Sequence, residues 1–126
     1  MAKRGFKVML AEANAVIETV SVQDLPYHLE EAGALLLDVR ETVERERSGH
    51  IPNSIHLPRG LLEFHADPES PVFNKELASD RPLILYCGTG GRSALAGKTL
   101  HDMGYTNVAS LAGGFSAWLV VNGGSV

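Results

Sequence analysis

Cys87 is the one cysteine of a 126-residue chain, and a glycine-rich hexad follows it: Gly88-Thr89-Gly90-Gly91-Arg92-Ser93. The run before it, Leu83-Ile84-Leu85-Tyr86, has the length and residue types of a buried strand. The run after it, Ala94-Leu95-Ala96-Gly97-Lys98-Thr99-Leu100, reads as a helix with Leu95, Thr99 and Met103 down one side. Strand, tight loop and helix in that order set a thiol in front of a helix N-terminus. Free backbone N–H groups and the helix dipole favour an anion there. A thiolate is an anion, and at such sites its pKa falls to roughly 3.5–7.5. A lone cysteine ending a buried strand also serves as a small hydrophobe. Glycine at three of the next four positions argues for chemistry instead, because it lets the amides turn inward. Cys87 is therefore the candidate nucleophile, in a cradle made by Gly88, Thr89, Gly90, Gly91, Arg92 and Ser93.

The elements that must position this loop alternate along the chain. Phe6 to Asn14 has the pattern of a short amphipathic helix, and residues 1–15 are read as an extension ahead of a domain spanning 16–126. Val16 to Val20 is β-branched enough for a first strand. Ser21-Val22-Gln23-Asp24 has capping-box spacing ahead of a helix to about Ala32, stopped by Gly33. Ala34 to Val39 is a continuous apolar run broken only by Asp38, and Arg40 to Arg47 is a charged helical stretch in which Arg40 and Glu44 are spaced to pair. Gly49-His50-Ile51-Pro52 is a turn, with His50 read as fixing it, and a third strand follows at about Ser54 to Leu57. Pro58-Arg59-Gly60 leads into a helix from Leu61 to His65. Asp67 to Ser79 is a loop holding at most one helical turn. After the central helix, closed by Gly104, come a fifth strand at Val108 to Leu111 and a last helix that frays near Gly123-Gly124.

Continuous apolar strands alternating with helices predict an α/β domain with one parallel sheet covered on both faces. Ligands bind such sheets beyond the carboxyl ends of the strands. Asp38, Arg59, Cys87 and Ala112-Gly113 each follow a strand and are expected to converge there. Strand order is not readable.

Composition bounds the partners. The chain is long enough for one domain with a real core. A net charge of −4 with no basic stretch argues against nucleic acid, and no apolar run is long enough to span a membrane. Lys7 and Glu12 interrupt the apolar N-terminal stretch, so no signal peptide is expected. One cysteine rules out an internal disulfide or dithiol relay and fits the cytoplasm. The five histidines are scattered, so neither a metal site nor a cofactor is expected.

Leu37-Asp38-Val39-Arg40, Gly49-His50-Ile51-Pro52, Cys87 to Ser93, and Gly104-Tyr105 through Leu111-Ala112-Gly113-Gly114 and Trp118, in that order, resemble a single-domain rhodanese. The resemblance covers Ser21 to Trp118. It implies the rhodanese fold, with five strands in a mainly parallel sheet and helices on both faces. It also implies sulfurtransferase chemistry. Cys87 would take a sulfane sulfur from thiosulfate or a persulfide and pass it to a thiol or cyanide, with a protein as donor or acceptor also open. The stretch Asp38 to Gly49 is one residue longer than in the commonest members. Some rhodaneses carry a second cation two residues after the cysteine, where this chain has Thr89.

Beside that resemblance, Arg92 has two readings: it binds the anionic donor, or it closes the loop by hydrogen-bonding its carbonyls. Ser93 is a loop donor or cap, and Thr89 offers a hydroxyl. Asp38 and Arg40 are read as structural, since sulfur transfer to a thiolate needs no general base. Arg59 is the cation that would make up for Thr89 in donor binding. Two rivals differ in kind. A cysteine-dependent phosphatase or arsenate reductase of related fold has five residues between cysteine and arginine, against four here, and a ring one amide smaller suits a single sulfur atom. A non-catalytic docking module of the same fold typically loses the cysteine or degrades the loop, and both are intact here.

Overall fold

The computed structural model describes residues 3–123; residues 1, 2 and 124–126, and with them the outer limits set for the extension and the domain and Gly124 of the expected frayed end, lie outside the described residues. Five strands, β1 (Glu18–Val20), β2 (Leu35–Asp38), β3 (Ile55–His56), β4 (Leu83–Tyr86) and β5 (Val108–Leu111), form one sheet in the order β1-β5-β4-β2-β3. Every neighbouring pair is parallel. All residues of β2, β4 and β5 are buried, as continuous apolar runs require when both faces are covered.

The strand order decides where a ligand sits. From β2 the chain moves outward to β3, and from β4 it moves outward the other way to β5, so β4 and β2 flank a topological switch point. Cys87 follows the last residue of β4, at that point. The two-residue period of the strands then sorts side chains between two core layers. Leu35, Leu37, Val39, Leu83, Leu85 and Cys87 lie in one layer with Leu100. Leu36, Ile84, Tyr86 and Phe115 lie in the other. Asp38 is in register with Tyr86 and shares its face, so the carboxylate and the thiol emerge on opposite sides of the sheet.

Among the described residues six helices complete the fold: α1 (Phe6–Val16), α2 (Leu25–Glu30), α3 (Thr42–Ser48), α4 (Leu62–Ala66), α5 (Gly91–Asp102) and α6 (Gly114–Val121). Short 3₁₀ turns at Arg59–Leu61 and Lys75–Ala78 lie in the connections before and after α4. None of the described helices is long and apolar enough to cross a membrane. Some elements differ from the sequence expectation. The helix α2 is shorter at both ends, because the Ser21 hydroxyl accepts from Asp24 N–H at 3.1 Å and closes a turn before the helix starts. At its far end the N–H groups of Glu31 and Ala32 both bond Tyr27 O. In α3 the expected Arg40–Glu44 pair is absent. Arg40 precedes the helix, outside the i,i+4 geometry, and Glu44 reaches back to the Glu41 N–H at 2.9 Å as half of a capping box.

The helix α1 runs to Val16, one residue past a boundary drawn at residue 15, and lies across α5. Ala13, Ile17 and Ala94 are its buried contact, with Leu10 and Leu95 at the margin. The close approach depends on Gly97, where an added Cβ would stand 2.7 Å from Ile17 Cδ1 and 3.4 Å from Val108 Cγ1. Gly97→Val is accordingly expected to cost about 1–3 kcal/mol by overpacking. Gly60→Ala, with open space around it, should move the same denaturation midpoint by no more than about 0.5 kcal/mol.

Candidate active site

The first turn of α5 has free N–H groups and starts from Gly90, which has no side chain to accept from them. The acceptor is Cys87. Its Sγ, 1% exposed with its residue, takes the Gly90 N–H at 3.1 Å and the Ser93 N–H at 3.4 Å, and lies 3.6 Å from Ser93 Oγ. Burial pushes the thiol pKa up. The Ser93 hydroxyl and the N–H groups of Ser93, Gly90 and Thr89 outweigh that, and the pKa ends below the usual value. Gly90 sits at φ +120°, a conformation that L side chains rarely adopt. Thr89 is exposed at the loop tip and supplies its backbone.

The loop carbonyls are held away from the sulfur by a second helix. At the start of α6, Phe115 N–H donates to Cys87 O at 2.8 Å and Ser116 N–H to Gly88 O at 3.1 Å. Gly114 makes this possible: at φ +58°, an added Cβ would be 2.5 Å from Cys87 O and 2.8 Å from Gly88 O. Loop closure, one of the two roles open to Arg92, thus falls to α6. The Arg92 guanidinium instead packs over Gly88 and forms a two-pronged pair with Glu44, at 2.6 and 2.8 Å. That bond, against the opposing effect of partial burial, holds the Glu44 carboxyl at about 2.

On the opposite face, Asp38 and Arg40 form a buried network apart from the thiol. Arg40 donates Nε–H and an Nη2–H to the two Asp38 oxygens at 3.0 and 2.9 Å, and its own backbone N–H at 3.0 Å. Arg45 and the Tyr86 hydroxyl add 2.9 and 3.0 Å bonds to Asp38 Oδ2. Arg40 also reaches Gly49 O at 2.7 Å and lies 4.3 Å from the Phe115 ring centroid. Burial pushes the Asp38 carboxyl up, but Arg40 more than offsets it and the pKa falls below the ordinary value. The Gly49-to-Pro52 turn is tied through Ile51 N–H to Tyr86 Oη at 3.1 Å, where His50 is the residue expected to fix it.

Arg59 does not join the cradle. Its guanidinium bonds Thr99 Oγ1 at 3.0 Å and Glu63 at 3.2 Å. Thr99 lies eight residues along α5 from Gly91, about 12 Å of helix. The backbone of Arg59 does follow β3, but the 3₁₀ turn there aims its side chain along the flank of α5. Of the expected convergence, Cys87 and the Gly113 of Ala112-Gly113 do meet, with Gly114 beside them, and the side chains of Asp38 and Arg59 do not join them.

Several participants are not visible in the sequence. Local spacing pairs Glu44 with Arg40, and a partner 48 residues away is out of its reach. Tyr86 reads only as a strand residue. Ser110 is buried on β5 with its Oγ 2.7 Å from Ser93 Oγ. A polar residue inside an apolar strand was its available signal.

A family model for the rhodanese-like domain matches residues 21–120, from just before α2 into α6 and across the whole cradle. The chain belongs to the rhodanese-like domain family. Thiosulfate sulfurtransferase GlpE of Pseudomonas syringae pv. syringae is 39% identical over 90 residues, 71% of this chain and 76% of that protein. The solved structure of a human single-domain sulfurtransferase superposes with a TM-score of 0.68 at 30% identity, covering 81% of this chain and 95% of that one. A Rhodopseudomonas palustris protein of unknown function, described as a possible tyrosine phosphatase, superposes with a TM-score of 0.91 at 43% identity, covering 97% and 94%.

The rhodanese domain thus brings its loop to the switch point on one face and braces β2, β4 and α3 with a charged network on the other. Asp38→Asn leaves Arg40 buried without its counter-charge and is expected to destabilise the protein by about 3–5 kcal/mol. The folded-state pKa of Asp38 lies below its unfolded value, so its stabilisation is full above the unfolded pKa, about 4. It is lost as pH falls further, through the folded value. Denaturation across acidic pH should show that loss in the parent protein and a flatter profile in D38N.

Proposed function

We propose that this protein is a sulfurtransferase working through a Cys87 persulfide. The observation that supports it most is the loop that turns the Gly90 and Ser93 N–H groups onto Sγ, with four residues between Cys87 and Arg92. The Cys87 thiolate attacks the outer sulfur of a donor, a Cys–S–S bond forms, and the donor's S–S bond breaks with its electron pair leaving on sulfite or a thiolate. A thiol or cyanide acceptor, as its anion, then attacks the terminal sulfur, and Cys87 departs as thiolate. No electrons are needed from outside, so the balance calls for no redox cofactor. The N–H groups of Thr89, Gly90 and Ser93 stabilise the anion at each stage, preorganised and partly dry. The cycle starts from a free thiol and returns to one, which fits the cytoplasm.

The charge around the cradle bears on the donor. Arg92 is neutralised by Glu44, Glu41 lies close enough to Arg92 to act on it, Thr89 carries no charge and Arg59 is turned away. We take a persulfide, small or carried by a protein, as the preferred donor over dianionic thiosulfate. Freeing Arg92 by Glu44→Gln should raise kcat/KM for thiosulfate on the order of 5-fold, as expected from the ~1 kcal/mol of a part-exposed ion pair. Cysteine persulfide should respond less, and an equal response from both donors would remove the electrostatic argument.

The transfer itself is tested by intact-protein mass spectrometry. One sulfur atom should add on incubation with a persulfide or thiosulfate, leave on adding cyanide, and fail to add in Cys87→Ala. Turnover of an aryl phosphate with no gain of sulfur from any donor would falsify the proposal and favour the phosphatase reading.

A further inference from the structure

Behind the cradle, on the side away from solvent, stands a hydroxyl pair. Ser93 is the third residue of α5, and Ser110 lies on β5 beside Leu85. Both side chains are buried, 0% and 4% exposed, and their Oγ atoms are 2.7 Å apart. Ser93 Oγ has two further neighbours, Gly90 O at 3.1 Å and Cys87 Sγ at 3.6 Å. Ser110 Oγ has Ser93 Oγ as its one side-chain partner among the described residues.

Hydroxyl valence orders these contacts. A buried O–H that does not donate is costly, and the Ser110 proton has Ser93 Oγ to go to. Ser93 is then an acceptor towards Ser110, which leaves its single proton for Gly90 O or for the sulfur. With Cys87 protonated, the S–H donates to Ser93 Oγ and the Ser93 O–H rests on Gly90 O. When the thiol proton leaves to solvent, the Ser93 O–H turns to the bare thiolate, while Ser110 donates to Ser93 as before. Hydrogen bonds in such a chain polarise one another, so donation by Ser110 makes the Ser93 O–H the stronger donor.

We propose that Ser110 is a positioning residue for the Cys87 thiolate, acting through the Ser93 hydroxyl. It touches neither the sulfur nor a substrate. Its effect is to hold Ser93 in the rotamer that reaches both Gly90 O and the sulfur, and to favour the ionised thiol. The charged groups about Cys87 are Arg92 at the start of α5 and the Glu44 and Glu41 carboxylates of α3 and its cap. Asp38, Arg40 and Arg45 are held in their own network on the opposite face. Neither serine changes any of these charges.

This inference concerns the same sulfur as the proposed transfer, but its test reads ionisation instead of turnover, so the two fail separately. The rate of Cys87 alkylation by iodoacetamide is followed against pH in the parent, Ser93→Ala, Ser110→Ala and the double variant. Loss of one hydrogen bond to a charged sulfur is worth on the order of one to two pH units, so S93A is expected to raise the midpoint by about that much and S110A by roughly half of it. In the S93A background, S110A should add nothing, because its route to the sulfur is gone. An S110A profile that matches the parent's, or a shift of equal size in both backgrounds, overturns the assignment and leaves Ser110 as packing only.

Discussion

A helix that begins with Gly90-Gly91 has N–H groups that no capping side chain satisfies, and the acceptor they receive is the sulfur of Cys87. The arrangement serves both partners. The helix end gains an acceptor in the position where a serine or aspartate cap would normally supply oxygen. The buried sulfur gains donors enough to offset the cost of desolvating its anion, and its pKa is lowered despite burial. The rest of the site keeps this one exchange in place.

Three supports do so from different sides. The start of α6 holds the carbonyls of Cys87 and Gly88 outward, which leaves the loop amides facing the sulfur. That approach is close enough to need Gly114, so the Gly113-Gly114 pair belongs to the loop although it lies more than twenty residues further along. The Glu44–Arg92 pair ties α3 to the first turn of α5 and removes a free positive charge from the mouth. The Ser93–Ser110 pair fills the inner side with hydroxyls where a parallel strand would otherwise present only aliphatic carbon.

The charged residues of the far face do a different job. Asp38 gathers Arg40, Arg45 and the Tyr86 hydroxyl into a buried cluster that joins β2, β4 and the start of α3, with the Gly49–Ser54 segment bonded to it. Replacing such a cluster by apolar residues need not weaken a protein, whereas removing one member does. Its geometry sets the position of α3, and through α3 that of Glu44, so the far face reaches the mouth of the cradle by way of a helix. Sharing a sheet edge does not bring Asp38 to the sulfur.

Much of this was legible in the residues alone. The apolar runs of β2, β4 and β5, the helix after the loop and the glycine cradle around Cys87 all follow from local pattern, because strand burial, helix periodicity and glycine's conformational freedom act within a few residues. The positions of Asp38 and Cys87 on opposite faces were also latent there, since each strand alternates with period two, but parity has meaning only once the register Asp38–Tyr86 is known. Strand order, the turn of Arg59 towards Thr99, the pairing of Glu44 with Arg92 and the meeting of Ser93 with Ser110 were decided by tertiary structure. The three side-chain meetings join residues 17 to 48 positions apart, and a side chain takes whichever partner the packed sheet brings within about 3 Å. The sequence by itself determined that there is a thiol at a helix N-terminus; which charges and hydroxyls surround it was settled only when the strands were laid side by side.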